Sequence, residues 1–408
     1  MTPPTTLRFR VVTAAIITVL GLCLSAFPVL ASDSLEVHSA IIMDMGTGRI
    51  LYEQNADDQI PPASLTKVMS MFVAMDKIRS GKASINDQVK ISKRAAGTGG
   101  SRMFLTSGER VSLDELLTGM AVSSGNDAST AVAEHIGGST DGFVRLMNAK
   151  AQSLGMKQSI FRNVHGLPAA GQMTSARDML TLSRAYLQQY PEALRYHSIR
   201  YIKHNRVITT NKNPLLGNVE GADGLKTGWV CASGYNLIST VKRGKTRLLA
   251  VVLGAQNTQL RAQETHRLIE AGFQVAEGEN KSVATALATM RPHDFALNTH
   301  KTKSLAYAEL NKDTKHKRGK SALRAKHSRK NTAVSAADET CQPVASKSSK
   351  SRSKSSATAS KGKTAQTSKQ TTLQAKPAPQ QNKSAPQAHD KSSKSKHAKR
   401  AEVAGKNG

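Results

Sequence analysis

Three short segments carry residue types that together could transfer an acyl group. Ser64-Leu65-Thr66-Lys67 sets a hydroxyl and an amine three positions apart. On a helix such positions share a face, so the Lys67 amine can reach the Ser64 oxygen. A serine hydroxyl attacks poorly until a base removes its proton, and a lysine serves as that base when burial or a nearby cation keeps it neutral. A helix N-terminus at Ser64 would add a positive dipole end beside the developing negative charge. The spacing alone says little, because Ser351-Arg-Ser-Lys354 and Ser360-Lys-Gly-Lys363 repeat it in a stretch without an apolar pattern. Ser124-Gly125-Asn126 offers a second hydroxyl to pass a proton to a leaving amine, and an amide to hold both a carbonyl and the lysine. By itself it reads better as a turn between helices. Lys226-Thr227-Gly228 supplies a cation and a hydroxyl that can bind a carboxylate, then a residue whose missing Cβ lets a substrate backbone come close. Alone, it is an ordinary strand start with an exposed lysine.

The elements that would position these groups are legible from apolar spacing. Ser39-Ala-Ile-Ile-Met-Asp44 and Arg49-Ile-Leu-Tyr52 flank Gly46-Thr-Gly48, a hairpin signal with glycines in the turn. Pro61-Pro62 halts the chain before Ser64, and Leu65 to Ile78 has an apolar face at helical spacing. Leu113–Val122, Ala128–Ile136 and Phe143–Leu154 are predicted helices, and Thr174-Ser-Ala-Arg-Asp178 caps another that ends near Tyr190-Pro191. Tyr235–Val241 and Leu248–Leu253 read as strands joined by the turn Lys242–Lys245, and Gln259–Val275 as a last amphipathic helix. Strands at both ends with helices between predict one α+β unit, an antiparallel sheet covered by helices.

In this order the three segments form the motif set of penicillin-binding proteins and β-lactamases. The sequence resembles the D-alanyl-D-alanine carboxypeptidases among the low-molecular-mass penicillin-binding proteins. The resemblance rests on Ile60–Met69, Ser123–Ala128, Val164-His-Gly-Leu167, Ser175–Asp178, Asp223–Gly228 and Ala232–Leu237, and covers about residues 37–273. It implies a β-lactamase/transpeptidase-like fold, and Ser-Gly-Asn points to the carboxypeptidase branch. By the same resemblance Ser64 is the acylated nucleophile, Lys67 its general base and Ser124 the proton relay. Asn126 aligns lysine and substrate, Lys226 biases the electrostatics, and Thr227 with Arg261 holds the substrate's terminal carboxylate. Gly228 completes that edge, and the backbone N–H groups of Ser64 and Trp229 form the oxyanion hole. Trp229 stands where close relatives often carry a smaller or imidazole side chain, which alters the leaving-group pocket. His165 is read as structural. The implied substrates are peptidoglycan stem peptides, with β-lactams as covalent inhibitors. A DD-endopeptidase with the same machinery is the nearest alternative, and a silent wall-binding protein the alternative from another class. No Glu-x-x-x-Asn block between Asn126 and Lys226 supplies a deacylating base of the β-lactamase kind. No cofactor or metal is required, because the serine itself forms the covalent intermediate.

Composition divides the chain. The net charge is +29, but residues 301–408 hold 26 Lys and Arg against 6 Asp and Glu, a net of +20, with Tyr307 their one aromatic residue. Such a segment cannot bury enough apolar surface to offset its chain entropy, so residues 279–408 are expected to be a disordered basic tail. Arg8 and Arg10 precede the apolar run Val11–Leu24, and Val29-Leu-Ala31 offers small residues for cleavage. Residues 1–31 therefore read as an export signal, with a retained anchor as the alternative, and residues 32–278 as the catalytic domain in the periplasm or cell envelope. Leu22 argues against Cys23 as a lipoprotein cysteine. Cys231 and Cys341 do not make a disulfide framework, and each is expected as a free thiol. For an exported protein the tail's expected partners are anionic wall polymer or lipid head groups rather than nucleic acid.

Overall fold

The computed structural model describes residues 33–297. In chain order the principal elements are β1 (Ser39–Asp44), β2 (Ile50–Gln54), α1 (Thr66–Arg79), β3 (Gln88–Lys90), β4 (Arg110–Ser112), α2 (Leu113–Val122), α3 (Asn126–Gly137), α4 (Thr140–Ser153) and α5 (Ala176–Gln189). There follow β5 (Tyr201–His204), β6 (Val207–Thr210), β7 (Ala222–Val230), β8 (Gly234–Arg243), β9 (Thr246–Ala255), α6 (Thr258–Ala276) and α7 (Val283–Thr289).

Strand periodicity explains the layering. Successive side chains of a strand point to opposite faces. Ile41, Met43, Leu249, Val251 and Leu253 face one core, shared with α1 to α5. Ala40, Ile42, Leu248, Ala250 and Val252 face a second, shared with α6 and α7. A strand covered on both faces reads as a nearly continuous apolar run, as β1 and β9 do. The sheet order is β2-β1-β9-β8-β7, with every pairing antiparallel. The first strand thus sits inside the sheet, and β7 forms an edge. β3 with β4 make a small antiparallel pair and β5 with β6 a small hairpin, neither announced by the apolar pattern.

α1 is buried along ten residues, including Val68, Met69, Met71 and Phe72, and packs against α2, α3, α4 and α5. A helix apolar nearly all round belongs inside the molecule, and here it carries Lys67 into the core. The cap expected in Thr174–Asp178 is present, Ser175 Oγ accepting from Asp178 N at 3.2 Å to open α5, and Ser112 Oγ likewise accepts from Glu115 N at 3.2 Å to open α2.

Two expectations need correction. The folded part does not close at residue 278, because α7 buries Val283, Ala286 and Leu287 against α6. Arg267 Nη2 also donates to Leu287 O at 2.8 Å. Burying the Val and Leu side chains stabilises this helix by about 1.5–3 kcal/mol each, although its Ala- and Thr-rich sequence gives little sign of it. Cys231 is not a free thiol but is disulfide-bonded. A low cysteine count argues against a framework, not against a single bridge. The expected signal over residues 1–31 lies outside the described residues, as does the tail from residue 298 onward.

Candidate active site

The chain reaches Ser64 through a tight turn. Ala63–Leu65 is one turn of 3-10 helix running directly into α1, with Ala63 at φ 48°. The turn is held from two sides by glycines. A Cβ on Gly166, which has φ 91°, would sit 1.7 Å from Ala63 O. A Cβ on Gly228 would lie 3.1 Å from Ala63 Cβ and 3.2 Å from Leu65 N. Gly228 therefore lets β7 press on the nucleophile turn of its own chain, a closer constraint than the substrate approach its residue type suggested.

Lys67, buried in the first turn of α1, brings its Nζ 3.0 Å from Ser64 Oγ, 2.6 Å from Asn126 Oδ1 and 2.7 Å from His165 O. In a neutral amine the two N–H bonds go to Asn126 Oδ1 and the His165 carbonyl, and the lone pair is left to accept the Ser64 O–H. The pKa of Lys67 is held well below the ordinary lysine value, first by burial, then by the charges of Lys226 and Lys212, with Asp127 opposing. His165 contributes its backbone, not its ring. Burial, then the Lys67 charge, pushes the imidazole down to about 4.

Asn126 opens α3. Its Nδ2 donates to Gly99 O at 2.7 Å, which turns Oδ1 toward Lys67. Ser124 is buried in the left-handed region at φ 58°, and its hydroxyl makes no hydrogen bond among the described residues. The three motifs do converge, although the relay hydroxyl is not bonded to the lysine.

Lys226, Thr227 and Arg261 are all buried. Lys226 Nζ donates to Thr227 O at 2.9 Å, and burial, then Lys212 and Arg261, depress its pKa to about 7. Arg261 projects from the first turn of α6, and burial lowers its pKa to about 10. Neither its guanidinium nor the Thr227 hydroxyl makes a hydrogen bond among the described residues. A buried, unpaired cation is costly, and an anion supplied from outside would complete it. Trp229 stacks on Tyr235 across the β7–β8 pair, ring centroids 5.8 Å apart and tilted by 37°.

Lys212 was missed by sequence reasoning. It follows β6 in an irregular segment without motif spacing, and its Nζ donates to Ser101 Oγ at 2.8 Å. Its pKa is lowered by loss of surrounding water, then by Arg261. Among the described residues no group of three or more His, Cys, Asp or Glu is placed to hold a metal ion.

A serine hydroxyl facing an amine of depressed pKa, beside cations that pair with no carboxylate among the described residues, is chemically equipped for acyl transfer from a substrate bearing an anion. The profile of the D-alanyl-D-alanine carboxypeptidase family matches residues 28–257, and the chain belongs to that family. The D-alanyl-D-alanine carboxypeptidase DacC of Escherichia coli (strain K12) is 38% identical over 253 residues, which are 60% of this chain and 63% of that relative. The chain therefore spans less than two thirds of that protein's length. Penicillin binding protein 6B from Escherichia coli has a similar structure, with TM-score 0.57 and 39% identity over 59% of this chain and 78% of that one. Penicillin-Binding Protein D2 from Listeria monocytogenes, in its ampicillin-bound form, gives TM-score 0.54 at 29% identity, over 59% of this chain and 98% of that one.

Proposed function

We propose that this protein is a serine-type D-Ala-D-Ala carboxypeptidase that removes the terminal D-alanine of peptidoglycan pentapeptide stems. The observation that carries the reading is the placement of the Lys67 amine, 3.0 Å from Ser64 Oγ with its other directions taken by Asn126 Oδ1 and His165 O. Ser64 Oγ attacks the carbonyl of the penultimate D-alanine while Lys67 takes its proton. The oxyanion is held by the N–H groups of Ser64 and Trp229, each worth about 3–4 kcal/mol in comparable sites. Ser124 passes a proton to the departing D-alanine, and water then hydrolyses the ester on Ser64. Thr227 and Arg261 receive the terminal carboxylate, with Lys226 biasing the local field. β-Lactams follow the same route to a stable ester on Ser64.

A fluorescent penicillin should label the protein and leave Ser64→Ala unlabelled, and the unaltered protein should release D-alanine from a pentapeptide. Labelling that survives in Ser64→Ala would refute the assignment of the nucleophile. Cleavage of a cross-linked dimer with no release from the pentapeptide would establish a DD-endopeptidase instead.

The reading includes export, with residues 1–31 as the signal and the cell envelope as destination. No helix of the described residues is long and apolar enough to cross a membrane. It also includes attraction of the basic segment over residues 301–408 to anionic wall polymer or lipid head groups. Equal retention on anionic vesicles of the full chain and a chain ending near residue 300 would remove that part.

A further inference from the structure

We propose that Asp127 is a positioning residue for this acyl transfer, its carboxylate anchoring the loop that turns the Asn126 amide toward Lys67. The inference rests on the reaction proposed above. Asp127 lies in the first turn of α3 and is fully buried. Its Oδ1 accepts from Met103 N and Ala128 N, both at 2.9 Å, and its Oδ2 from Phe104 N at 2.9 Å and Leu105 N at 3.1 Å. Three successive backbone N–H groups closing on one anion form a nest, a geometry that needs one residue in the left-handed region. Phe104 is that residue, at φ 68°, and it is more than a third exposed. A bulky residue at positive φ is uncommon, and the carboxylate offsets its strain.

The other end of the same loop reaches the catalytic groups. Gly99 O accepts from Asn126 Nδ2 and Ser101 O from Asn126 N, both at 2.7 Å, while Ser101 Oγ accepts from Lys212. A Cβ on Gly100 would stand 2.6 Å from Asn126 Nδ2. Residues 99–105 therefore wrap the start of α3, seated on Asp127 at one end and bonded to both polar groups of Asn126 at the other. Gly125, inside the second motif, serves this seat as well, because a Cβ there would come within 2.9 Å of Asp127 Oδ1.

Asp127 also acts on Lys67 through space. The groups that bear on the Lys67 amine are Lys226 from β7, Lys212 after β6, Asp127 from α3, and the His165 segment that supplies a carbonyl. Of the charges among them only Asp127 is negative. Lys67 must be neutral to take the Ser64 proton, so the rate of acylation rises with pH through the Lys67 pKa. Removing the Asp127 charge lowers that pKa and moves the acid limb to lower pH. A purely structural role would leave the limb in place.

The test measures penicillin acylation rates of the full chain across pH, with melting curves alongside. Asp127→Asn should lower the rate at its optimum by about 100-fold, the loss expected from misplacing a catalytic group by an ångström, and shift the acid limb downward. Gly100→Ala, which crowds Asn126 but keeps the charge, should lower the rate with the limb unmoved. An Asp127→Asn protein that acylates at the unaltered rate with the same pH profile would overturn the proposal. If that variant does not fold, an undiminished rate in Gly100→Ala would overturn the coupling of the loop to Asn126. Absence of acylation in the unaltered protein would instead remove the reaction itself.

Discussion

Arg261 offers the sharpest quantitative test of the carboxylate pocket. Its guanidinium is buried without a hydrogen bond among the described residues, so Arg261→Met should leave the melting temperature unchanged or raise it, because an unpaired buried charge is lost. The cost should fall on the substrate. A hydrogen bond to a charged group contributes about 1.5–3 kcal/mol. At 1.4 kcal/mol per factor of ten, kcat/KM on a pentapeptide should fall by about 10- to 100-fold. The terminal carboxylate is bound in both ground and transition states, so the loss should appear mainly as a raised KM. Release of the terminal residue should be followed for the pentapeptide and for the same peptide with its terminus amidated. The amidated peptide should be poor for both proteins and hardly distinguish them. An equal loss on the two peptides, or none on the free acid, would refute the pocket. A large drop in melting temperature would show that the guanidinium is structural.

Two further outcomes follow from burial. Lys226 has a folded pKa of about 7 against an ordinary value of 10.5, so between those limits the unfolded chain binds more protons than the folded one. Its contribution to stability therefore rises with pH from about 7 to about 10.5, and Lys226→Met should be more stable near neutrality and lose part of that rise in melting temperature. Leu287→Ala, in the helix beyond the expected boundary, should cost about 2–5 kcal/mol in urea unfolding, whereas an unfolded segment would show no change.

Much of the scaffold could be read in advance because local patterns and tertiary needs agree. α2 begins and ends where its apolar spacing places it, and β8 and β9 follow the expected strand pair, although β8 runs on through Lys242 and Arg243 and leaves only Gly244 and Lys245 as the turn. α7 escaped because, although Val283, Ala286 and Leu287 keep helical spacing, seven residues rich in alanine and threonine are too short for that spacing to stand out. Their burial depends on the face that α6 presents. The hairpin of β5 and β6 escaped likewise, its four-residue strands being too short for alternation to register. Cys231 was misjudged because a low cysteine count does not exclude a single bridge.

The same division runs through the site. Ser64, Lys67, Ser124, Asn126, Lys226 and Thr227 stand in short motifs, so residue type and order were enough to nominate them, and the 3-10 turn that runs into the first turn of α1 keeps Ser64 near Lys67 by local geometry alone. Charge state was not local. The depressed pKa values of Lys67 and Lys226 come from burial and from cations 14 to 159 positions away in the sequence. Only the closing of the sheet against the helices brings Lys212, Lys226 and Arg261 within electrostatic reach of one another, with Asp127 opposing the effect of the two lysines on Lys67. The sequence determined which groups are available; the tertiary structure decided which are neutral, unpaired and aimed at one another, because desolvation and Coulomb forces act through space rather than along the chain.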